Sequence, residues 1–225
     1  MVKKNRISVV IPALNIGNGI RPTLESVKGL VNDIVVSDGR SSDCTVDFVH
    51  KSGFKVVCGE RGRGQQLHRG TEVAEGEWLL FLHADTTLEK GWLEEAKNFM
   101  KADLDKAGVF QFALNDVRWE ARLIEKGVSL RCRCLGLPYG DQGLLISRSF
   151  YERLGGFKPI PLFEDVDIIR RIGRRRLVHF NSRAVTSALS YQTGGFYFRP
   201  IKNLMLLLFY YFGVSPRYLA SLYKG

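Results

Sequence analysis

The sequence predicts an α/β fold, with an open, mostly parallel, Rossmann-like sheet, helices on both faces and a helical C-terminal tail. Within the first ninety residues, short apolar runs alternate four times with segments of helical spacing, a pattern typical of parallel strands joined by helices. The 225 residues are 45% hydrophobic and 25% charged. This composition suits one globular domain rather than a disordered chain.

The first half supplies the clearest elements. Strands are predicted where β-branched apolar residues run together, and helices where apolar residues recur every three or four positions or where a capping residue precedes them. In chain order we expect strand Ile7–Ile11, closed by Pro12, helix Gly19–Leu30, strand Asp33–Val36, a helix begun by Ser42-Asp43 and running to about Lys51, strand Phe54–Val57, helix Gln65–Ala74 and strand Trp78–Leu82.

The second half has a looser pattern with fewer parallel units. It predicts helix Gly91–Ala102, strand Ala107–Leu114, helix Trp119–Leu135, strand Gly143–Ser147, helix Phe163–Arg171, short strands Leu177–Phe180 and Ala184–Thr186, and a helical tail Pro200–Tyr223 broken near Gly213–Pro216.

The chain is basic, with a net charge of +10 and a pI of about 9.6. This balance suits a polyanionic partner, such as nucleic acid, anionic lipid or substrate phosphates, without choosing between them. Much of the excess lies in Arg131–Arg133 and Arg170–Arg176, which could equally form a solvated surface.

Cysteine usage and the N-terminus favour a cytoplasmic location. Cys44, Cys58, Cys132 and Cys134 form no C-x-x-C pair, and no histidine lies at zinc-finger spacing. The charged start Met1–Arg6 lacks the apolar region of a signal peptide. We therefore expect a cytoplasmic protein.

The apolar run Leu204–Phe212 leaves two interpretations open. A membrane span needs about 20 apolar residues, so this run is too short to cross a bilayer. It could be a buried helix or an interfacial helix at the inner face of the membrane, with Lys202 and Arg217 close to the lipid headgroups.

Polar residues collect where the predicted strands end. Asn15, Asp38 and Asp85 each follow a strand, and in open α/β sheets ligands bind outside the carboxyl ends of the strands. Asp38 precedes Gly39, so it could accept hydrogen bonds from a base or ribose, or only form a turn.

His83-Ala84-Asp85 is a candidate metal motif. It directly follows an apolar strand, and alternate positions of a strand point the same way, so His83 and Asp85 can converge on one ion. Mg²⁺ or Mn²⁺ held by one or two protein ligands would be completed by phosphates and water. The alternative is a capping aspartate with a chance histidine.

Two acidic stretches in the second half are further candidates. Glu164-Asp165 lies at a predicted helix start, where the helix dipole would keep both acids ionised and one could act as a general base. Simple N-terminal helix charge is the alternative. The glycine-flanked pair Asp141-Gln142 could hold an acceptor or only make a turn.

Arg61–Gln66 combines arginines and glycines before a helix, which favours an anion site. Its Gly62-Arg63-Gly64 stretch is similar to the beginning of a dinucleotide fingerprint. Leu67 occupies the third glycine position and the stretch follows the third strand, which argues against a Rossmann dehydrogenase.

Together these motifs resemble the family 2 glycosyltransferases, which have the GT-A fold. The matching stretches appear in the family's order over roughly residues 7–170, and they are Val9–Asn15, Val36–Thr45, Phe81–Asp85 and Phe163–Asp165. More narrowly, the His-Ala-Asp triplet and Thr186-Ser187-Ala188 resemble a small bacterial subfamily associated with radical-SAM, selenodomain and arsenosugar-related genes.

The resemblance implies a single glycosyltransferase domain, with a nucleotide-sugar-binding half at about 1–100, an acceptor-binding half at about 101–199 and a tail at 200–225. It also implies an inverting, metal-dependent transfer of one sugar from a nucleotide diphosphate sugar, most often a uridine one. The residues it assigns are Pro12, Asn15, Asp38, Arg63, Gln66 and Ala84 for the donor, Asp85 with His83 for the metal, and Asp165 with Glu164 for catalysis.

The chain departs from the family at several positions. Ile16 stands where the family often has Glu, and His83 replaces the first acid of the metal triplet. No Gln-x-x-Arg-Trp box follows Asp165, which favours one sugar per encounter over polymer synthesis. Leu189-Ser190-Tyr191 stands where the subfamily usually shows arginines.

Two other functions compete with a transferase. A nucleotidyltransferase can share the α/β plan, and it would release pyrophosphate from a nucleoside triphosphate. A basic module without catalysis could bind nucleic acid or a membrane surface, as the net charge allows. Acids at the strand ends argue against a polyanion groove, so we expect no nucleic-acid partner.

Overall fold

A computed structural model describes residues 6–102, 104–196 and 198–224. Its centre is an eight-stranded mixed sheet with the strand order β3-β2-β1-β4-β7-β6-β8-β5. The strands are β1 Ile7–Ala13, β2 Asp33–Asp38, β3 Lys55–Cys58, β4 Trp78–Phe81, β5 Thr86–Leu88, β6 Ala107–Leu114, β7 Leu144–Ser147 and β8 Leu177–Thr186.

Ten α-helices flank this sheet in the described residues. They are α1 Arg21–Val27, α2 Thr45–Lys51, α3 Arg63–Val73, α4 Trp92–Ala102, α5 Trp119–Leu135, α6 Arg148–Arg153, α7 Glu164–Ile172, α8 Leu189–Gly194, α9 Phe198–Tyr211 and α10 Pro216–Lys224. Short 3-10 turns lie at Gly17–Ile20, Gly140–Gln142 and Arg174–Arg176.

The first half forms the parallel part of the sheet. Strand β1 pairs in parallel with β2 and with β4, and β2 pairs in parallel with β3. The chain therefore moves outward from β1 to β3 and returns to place β4 on the other side of β1. This reversal of strand order is a topological switch point, where ligands bind in open α/β sheets.

The second half adds antiparallel pairs. Strand β7 runs antiparallel to both β4 and β6, while β8 is parallel to β6 and antiparallel to β5. The predicted α/β fold is confirmed, and its sheet is mixed because β7 and β5 run opposite to the other six strands. The reversal brings the loop before β7 to the carboxyl end of β4, which lies next to that of β1.

Several element boundaries differ from the prediction for local reasons. The two short strands predicted at 177–186 form one strand, β8, whose pairing with β6 shifts in register between Val109 and Gln111. The first predicted helix begins with a 3-10 turn and ends at Val27. Strand β5, helix α6 and helix α8 were not predicted, because elements of three to six residues carry too little periodicity.

The central strands bury side chains on both faces of the sheet. In β1, Val9 and Ile11 enter the core on one face and Val10 enters the core on the other. All three are fully buried, and burial of each such side chain contributes about 1.5–3 kcal/mol. This two-sided burial explains why β1 reads as a continuous apolar run rather than an alternating one.

Helix α3 packs very closely on this part of the sheet. A Cβ on Gly70 would lie 2.5 Å from Cγ1 of Val10, and one on Gly64 would lie 2.1 Å from the carbonyl oxygen of Lys158. Only glycine fits at either position without movement. The helix therefore presents its first turn, which carries Arg63, between the strand ends and the loop that leads to α7.

The C-terminal helices are buried on one side only. Leu206, Leu207 and Leu219 are buried, whereas other apolar residues of α9 and α10 are exposed. The run at 204–212 is therefore partly buried and partly at the surface. Within residues 6–102, 104–196 and 198–224, we find no helix with the length and hydropathy that a membrane span requires.

Candidate active site

The strand ends and one loop meet at a single edge of the sheet. The order β2-β1-β4-β7 places the carboxyl ends of the first three strands side by side. Leu144 at the beginning of β7 pairs with Phe81 at the end of β4. The loop 140–143 therefore lies beside His83-Ala84-Asp85, although the two segments are far apart in sequence.

The ends of β1 and β2 form a pre-built shelf of hydrogen bonds, which we define by Asn15, Asp38, Ser41 and Ser42. The Asp38 carboxylate accepts from the Ser41 amide at 2.7 Å and from the Ser41 hydroxyl at 2.5 Å. The backbone N–H of Asn15 donates to Ser41 Oγ at 2.8 Å, and Asn15 Oδ1 accepts from the backbone N–H of Ser42 at 2.8 Å. Asp38 therefore forms the turn and, at the same time, fixes this shelf.

Gln66 supports the shelf from below. It is buried, and its side-chain nitrogen donates to the carbonyl oxygens of Ala13 at 2.7 Å and Ser37 at 2.9 Å. Both hydrogens of the side-chain amide are used, so Oε1 is the atom of this side chain that is left to contact a ligand. Gln66 thus ties β1 to β2, which is a structural task that the sequence motif did not reveal.

Pro12 and Ala84 also lie at this edge of the sheet, and the contacts seen there involve their backbone. Pro12 is half-buried within β1, where it pairs with Ser37. The Ala84 carbonyl oxygen accepts a hydrogen bond from the Thr23 hydroxyl at 2.9 Å. Their assignment to the donor stays a prediction.

Among the residues that the structure describes, three non-glycine residues adopt positive φ, and each adjoins a candidate motif. The φ angles are 50° at Asn15, 63° at Arg40 and 65° at Phe163. This region is unfavourable for residues with a Cβ, and Phe is a rare occupant. Strained backbone collects at functional sites, and Phe163 directly precedes the Glu164-Asp165 pair.

A cavity of about 210 Å³ lies beyond the shelf and collects the acidic motifs. Its walls come from α3, the end of β4, the loop before β7, the beginning of α7, the end of β8 and the C-terminal helices. Lining residues include Arg63, His83, Asp85, Tyr139, Asp141, Phe163, Asp165, Thr186, Tyr191, Asn203 and Tyr223. The structure thus brings together the predicted metal, base and loop motifs.

His83 is held against the loop before β7. Its Nε2 is buried and has no hydrogen-bond partner among the described residues, and a Cβ on Gly140 would lie 2.7 Å from it. Burial, with the nearby Arg63 charge, holds the pKa of His83 well below its usual value. The imidazole is therefore neutral, which is the form that binds metal ions.

Asp141 faces the cavity with an unsatisfied oxygen. Its Oδ1 is buried and accepts no hydrogen bond from the described residues. Burial raises the pKa of Asp141 to about 6, against the lowering effect of Arg131, and the charges of Asp165 and Asp85 add to the rise. Asp141 is thus a desolvated carboxyl group beside two other acids.

The side chain of Gln142, the neighbour of Asp141, forms its hydrogen bonds within and beneath the loop, as the turn interpretation expects. It is buried, and its side-chain nitrogen donates to the Phe110 carbonyl oxygen at 3.0 Å. Its Oε1 accepts from the Tyr139 amide and from the Cys132 thiol. These bonds hold the loop in shape and leave Gln142 no exposed group for an acceptor.

Glu164 and Asp165 differ more than their adjacency suggests. Glu164 is buried, and its Oε1 lies 3.4 Å from Nη1 of Arg63. Burial raises the pKa of Glu164 to about 7, although the Arg63 charge lowers it, and Asp165 adds to the rise. Burial therefore opposes the ionised form of Glu164, an effect that the expectation from the helix dipole did not include.

Asp165 points into the cavity and is fixed there. It is half-buried, and its Oδ2 accepts the Gly140 amide at 2.8 Å while Oδ1 accepts the Val166 amide at 2.8 Å. A carboxylate that accepts backbone hydrogen bonds keeps a fixed direction. Asp165 thereby joins the beginning of α7 to the loop before β7.

Sequence reasoning missed the far wall of the cavity. Tyr139, Asn203 and Tyr223 belong to segments without a recognisable motif, and Tyr191 lies in a segment noted above only for its missing arginines. Thr186 could have been found, because it begins the Thr-Ser-Ala segment noted above; its hydroxyl lies 2.9 Å from that of Thr86 and contacts the Asp141 carbonyl oxygen.

The cavity offers some of the side chains that a divalent cation needs, but not a complete set among the described residues. Across the described ranges, no three His, Cys, Asp or Glu side chains form a ready metal site. The cavity nevertheless offers Asp85, a neutral His83 and the orphaned carboxyl oxygen of Asp141. Mg²⁺ and Mn²⁺ suit such oxygen donors when phosphates and water complete the set.

The sequence matches the family model of glycosyl transferase family 2 over residues 8–157. The chain belongs to this family. The matched segment contains the shelf, His83-Ala84-Asp85 and the loop before β7, and it ends just before Glu164-Asp165. The narrower likeness to a bacterial subfamily stays a prediction.

Curated relatives match over a short segment. The chain is 32% identical over 91 residues to a PGL/p-HBAD biosynthesis glycosyltransferase of Mycobacterium tuberculosis, covering 36% of each chain. It is 33% identical over 92 residues to a glucosyl-3-phosphoglycerate synthase of the same species, covering 35% of this chain and 28% of that protein. The matches thus span about a third of the length of these relatives.

Solved structures share the fold over most of the chain. Residues 1–349 of Staphylococcus aureus TarS superpose with a TM-score of 0.64 at 17% identity, covering 90% of this chain and 65% of that one. GalNAc-T7, solved with UDP, GalNAc and Mn²⁺, gives a TM-score of 0.61 at 21% identity, covering 81% and 43%. These likenesses confirm the GT-A fold.

Proposed function

We propose that this protein is an inverting glycosyltransferase that transfers one sugar from a nucleotide diphosphate sugar to an acceptor hydroxyl. The observation that supports it best is the cavity that holds Asp85 and Asp165 at the switch point of a family 2 domain. The nucleotide-sugar-binding half at about 1–100, the acceptor-binding half at about 101–199 and the tail at 200–225 would each contribute residues to this cavity.

The donor is proposed to lie along the sheet edge. Pro12, Asn15 and Asp38 would surround the nucleoside, because the shelf is already formed and lies outside the ends of β1 and β2. Arg63, at the first turn of α3, would face the diphosphate. A uridine donor is favoured because TarS has been solved with UDP-GlcNAc and GalNAc-T7 with UDP.

A divalent cation, Mg²⁺ or Mn²⁺, is proposed to be held by Asp85 and His83 in the same cavity. When bound, it would supply Lewis-acid stabilisation of the leaving nucleoside diphosphate. The buried, unpartnered oxygen of Asp141 supports a cation nearby, since a positive charge would favour the ionised carboxylate. GalNAc-T7 was solved with Mn²⁺.

The reaction is proposed to be a single displacement. The acceptor oxygen forms a bond to the anomeric carbon as the bond to the phosphate oxygen breaks, and that electron pair leaves with the diphosphate. Asp165 takes the hydroxyl proton, since its carboxylate faces the cavity and is oriented by the Gly140 amide. Glu164, buried against Arg63, would position α3 and α7 rather than react.

The acceptor is not identified, and its site is proposed to lie near Asp141 in the second half. We also propose that the protein works in the cytoplasm with a peripheral contact to the inner face of the membrane, through residues 204–212. Several apolar residues of this segment are exposed, which supports that contact.

Donor turnover tests the function. Purified protein with Mn²⁺ is expected to convert one class of nucleotide sugar slowly to the nucleoside diphosphate, with water as acceptor. Release of pyrophosphate from a nucleoside triphosphate would instead support a nucleotidyltransferase. A protein that releases neither product from a full panel would not be the proposed transferase.

A further inference from the structure

The charge of this chain is strongly segregated along its length. The sequence contains 33 Lys and Arg against 23 Asp and Glu, and no acid follows Asp167. Residues 1–167 therefore carry no net charge, and the entire net charge of +10 lies in residues 168–225. This segment comprises most of α7, β8 and the three C-terminal helices.

The same segment exposes apolar side chains in a continuous stripe, which we call the α9 outer face. Its residues are 42–83% exposed, and they are Ile201, Leu204, Met205, Leu208, Phe209 and Phe212. Positions 201, 204, 205, 208 and 212 follow the spacing of one helix face. The opposite face of α9 holds the buried Leu206 and Leu207, so the helix is apolar on both sides.

Helix α10 extends this surface. Tyr218 and Leu222, one turn apart, are exposed, while Leu219 between them is buried. The exposed Arg217 is the cation next to them. Aromatic and aliphatic residues beside cations, without any acid, are typical of helices that lie in a lipid interface.

The helices are fixed to the candidate active site. The Phe163 ring packs on Tyr210 of α9 with centroids 5.1 Å apart, and the Arg170 guanidinium of α7 lies 5.0 Å from the Tyr211 ring centroid. Asn203 of α9 and Tyr223 of α10 line the cavity itself. A partner that contacts the α9 outer face therefore lies close to the cavity.

We propose that the α9 outer face, with Tyr218 and Leu222 of α10, docks on an anionic lipid surface and holds the cavity next to the bilayer. This inference rests on the peripheral membrane contact in the proposed function and names its surface and its lipid. Cations attract anionic headgroups, with about 1 kcal/mol for each residue near the surface, and the apolar stripe inserts among the acyl chains.

Two other occupants fit less well. A second copy would bring another acid-free surface of the same charge, and like charges disfavour such a contact. Single-stranded nucleic acid would suit the cations and aromatic rings, but the aliphatic side chains of Ile201, Leu204 and Leu208 offer bases no stacking platform. Lipid suits both the charge and the aliphatic stripe.

Vesicle co-sedimentation tests the proposal with matched variants. We expect the wild type to bind vesicles of equal parts phosphatidylcholine and phosphatidylglycerol more tightly than phosphatidylcholine alone. Leu204→Glu with Leu208→Glu should weaken binding at least about tenfold, since two apolar side chains leave the lipid. The control is Leu30→Glu with Leu104→Glu. These two leucines have similar exposure (47% and 57% against 51% and 49%), and they lie just before β2 and β6, at the amino ends of these strands.

The outcomes separate the inference from the function on which it rests. Equal binding by both double variants, or no vesicle binding by the wild type, would overturn the docking surface. So would a dimer that Leu204→Glu with Leu208→Glu dissolves, or tighter binding to a single-stranded oligonucleotide than to vesicles. UDP binding should be the same in all three proteins, so its loss everywhere would count against the transferase itself.

Discussion

The two parts of the candidate site differ in how completely their polar groups are satisfied. The shelf at β1 and β2 uses its carboxylate, amide and hydroxyl groups on one another, as in the paired bonds of Asp38 and Ser41. The cavity beyond it leaves His83 Nε2 and Asp141 Oδ1 buried without a hydrogen bond from the described residues.

This difference indicates that the shelf and the cavity have different roles in the candidate site. Buried polar groups are normally satisfied, and exceptions call for an explanation such as a missing ion or ligand. A satisfied shelf is rigid before the ligand arrives, which suits recognition of a nucleoside. Under the proposed function, a cation and a diphosphate would satisfy the cavity, which is the part of the site where charge would develop.

The largest expected effect is on turnover at Asp165. Asp165→Asn keeps the shape and one of the two backbone hydrogen bonds, because an amide has a single acceptor oxygen, and it removes the base, so turnover should fall by about 10²–10⁴-fold. Release of nucleoside diphosphate measures it, and calorimetric UDP binding serves as the control for an intact site. Near-normal turnover in a folded variant would exclude Asp165 as the base.

A smaller loss of activity is expected when the cavity wall is displaced. In Gly140→Ala the new Cβ would lie 2.7 Å from His83 Nε2 and 3.3 Å from Asp165 Oδ2, so both groups must move. A displacement of about 1 Å can reduce turnover by about 10²-fold. Turnover and UDP affinity should both be measured.

Gly127→Ala provides the control, because a Cβ on that helical glycine meets nothing within 4 Å. It should leave turnover unchanged and stabilise α5 slightly. If both alanine variants kept full activity, the close contact of the cavity wall with the reacting groups would be refuted.

Stability should separate the shelf from the cavity. Asp38→Ala removes a buried carboxylate that accepts two hydrogen bonds, and it should lower the free energy of unfolding by about 3 kcal/mol. Asp141→Ala removes a desolvated carboxyl group with an orphaned oxygen, so it should leave stability unchanged or raise it. Urea unfolding measures both; equal losses would erase the distinction between the two regions.

The smallest effect concerns the pH dependence of stability at Glu164. Burial raises the pKa of Glu164 from 4.5 to about 7 in the folded protein. The contribution of this carboxyl group to the free energy of unfolding is therefore fully present below pH 4.5 and is lost as the pH rises through about 7. Glu164→Gln removes this loss, which is at most about 2 kcal/mol between about pH 5.5 and pH 7.

The difference between wild type and Glu164→Gln isolates this group from every other group that changes its charge between the two pH values. Urea unfolding at the two pH values, without nucleotide, gives the four free energies required. A difference that does not change with pH would mean that Glu164 is already ionised.

The sequence was informative where the chemistry and the topology coincide. Apolar runs located β1, β2 and β4, and the polar residues after them lie at one edge because parallel strands end together. Asp85 and Asp165 were predicted as site residues from residue type and position, and the structure places both at one cavity.

Other features depend on contacts between distant segments. Nothing local shows that β7 reverses direction and brings Asp141 beside His83, or that Gln66 spends its amide on two carbonyl groups. Glu164 looked like an ordinary helix-start acid, and its raised pKa follows from burial against α3. Tyr223 reaches the cavity only because α10 folds back along α9.

Calorimetry with UDP and UDP-GlcNAc, with and without Mn²⁺, tests the central claim most directly, because it asks whether the edge formed by the shelf and the cavity receives a nucleoside diphosphate. We predict Mn²⁺-dependent binding to the wild type that weakens at least about tenfold in Asp85→Ala. Absence of binding to the wild type under all conditions would contradict the assignment of this edge as a nucleotide-sugar site.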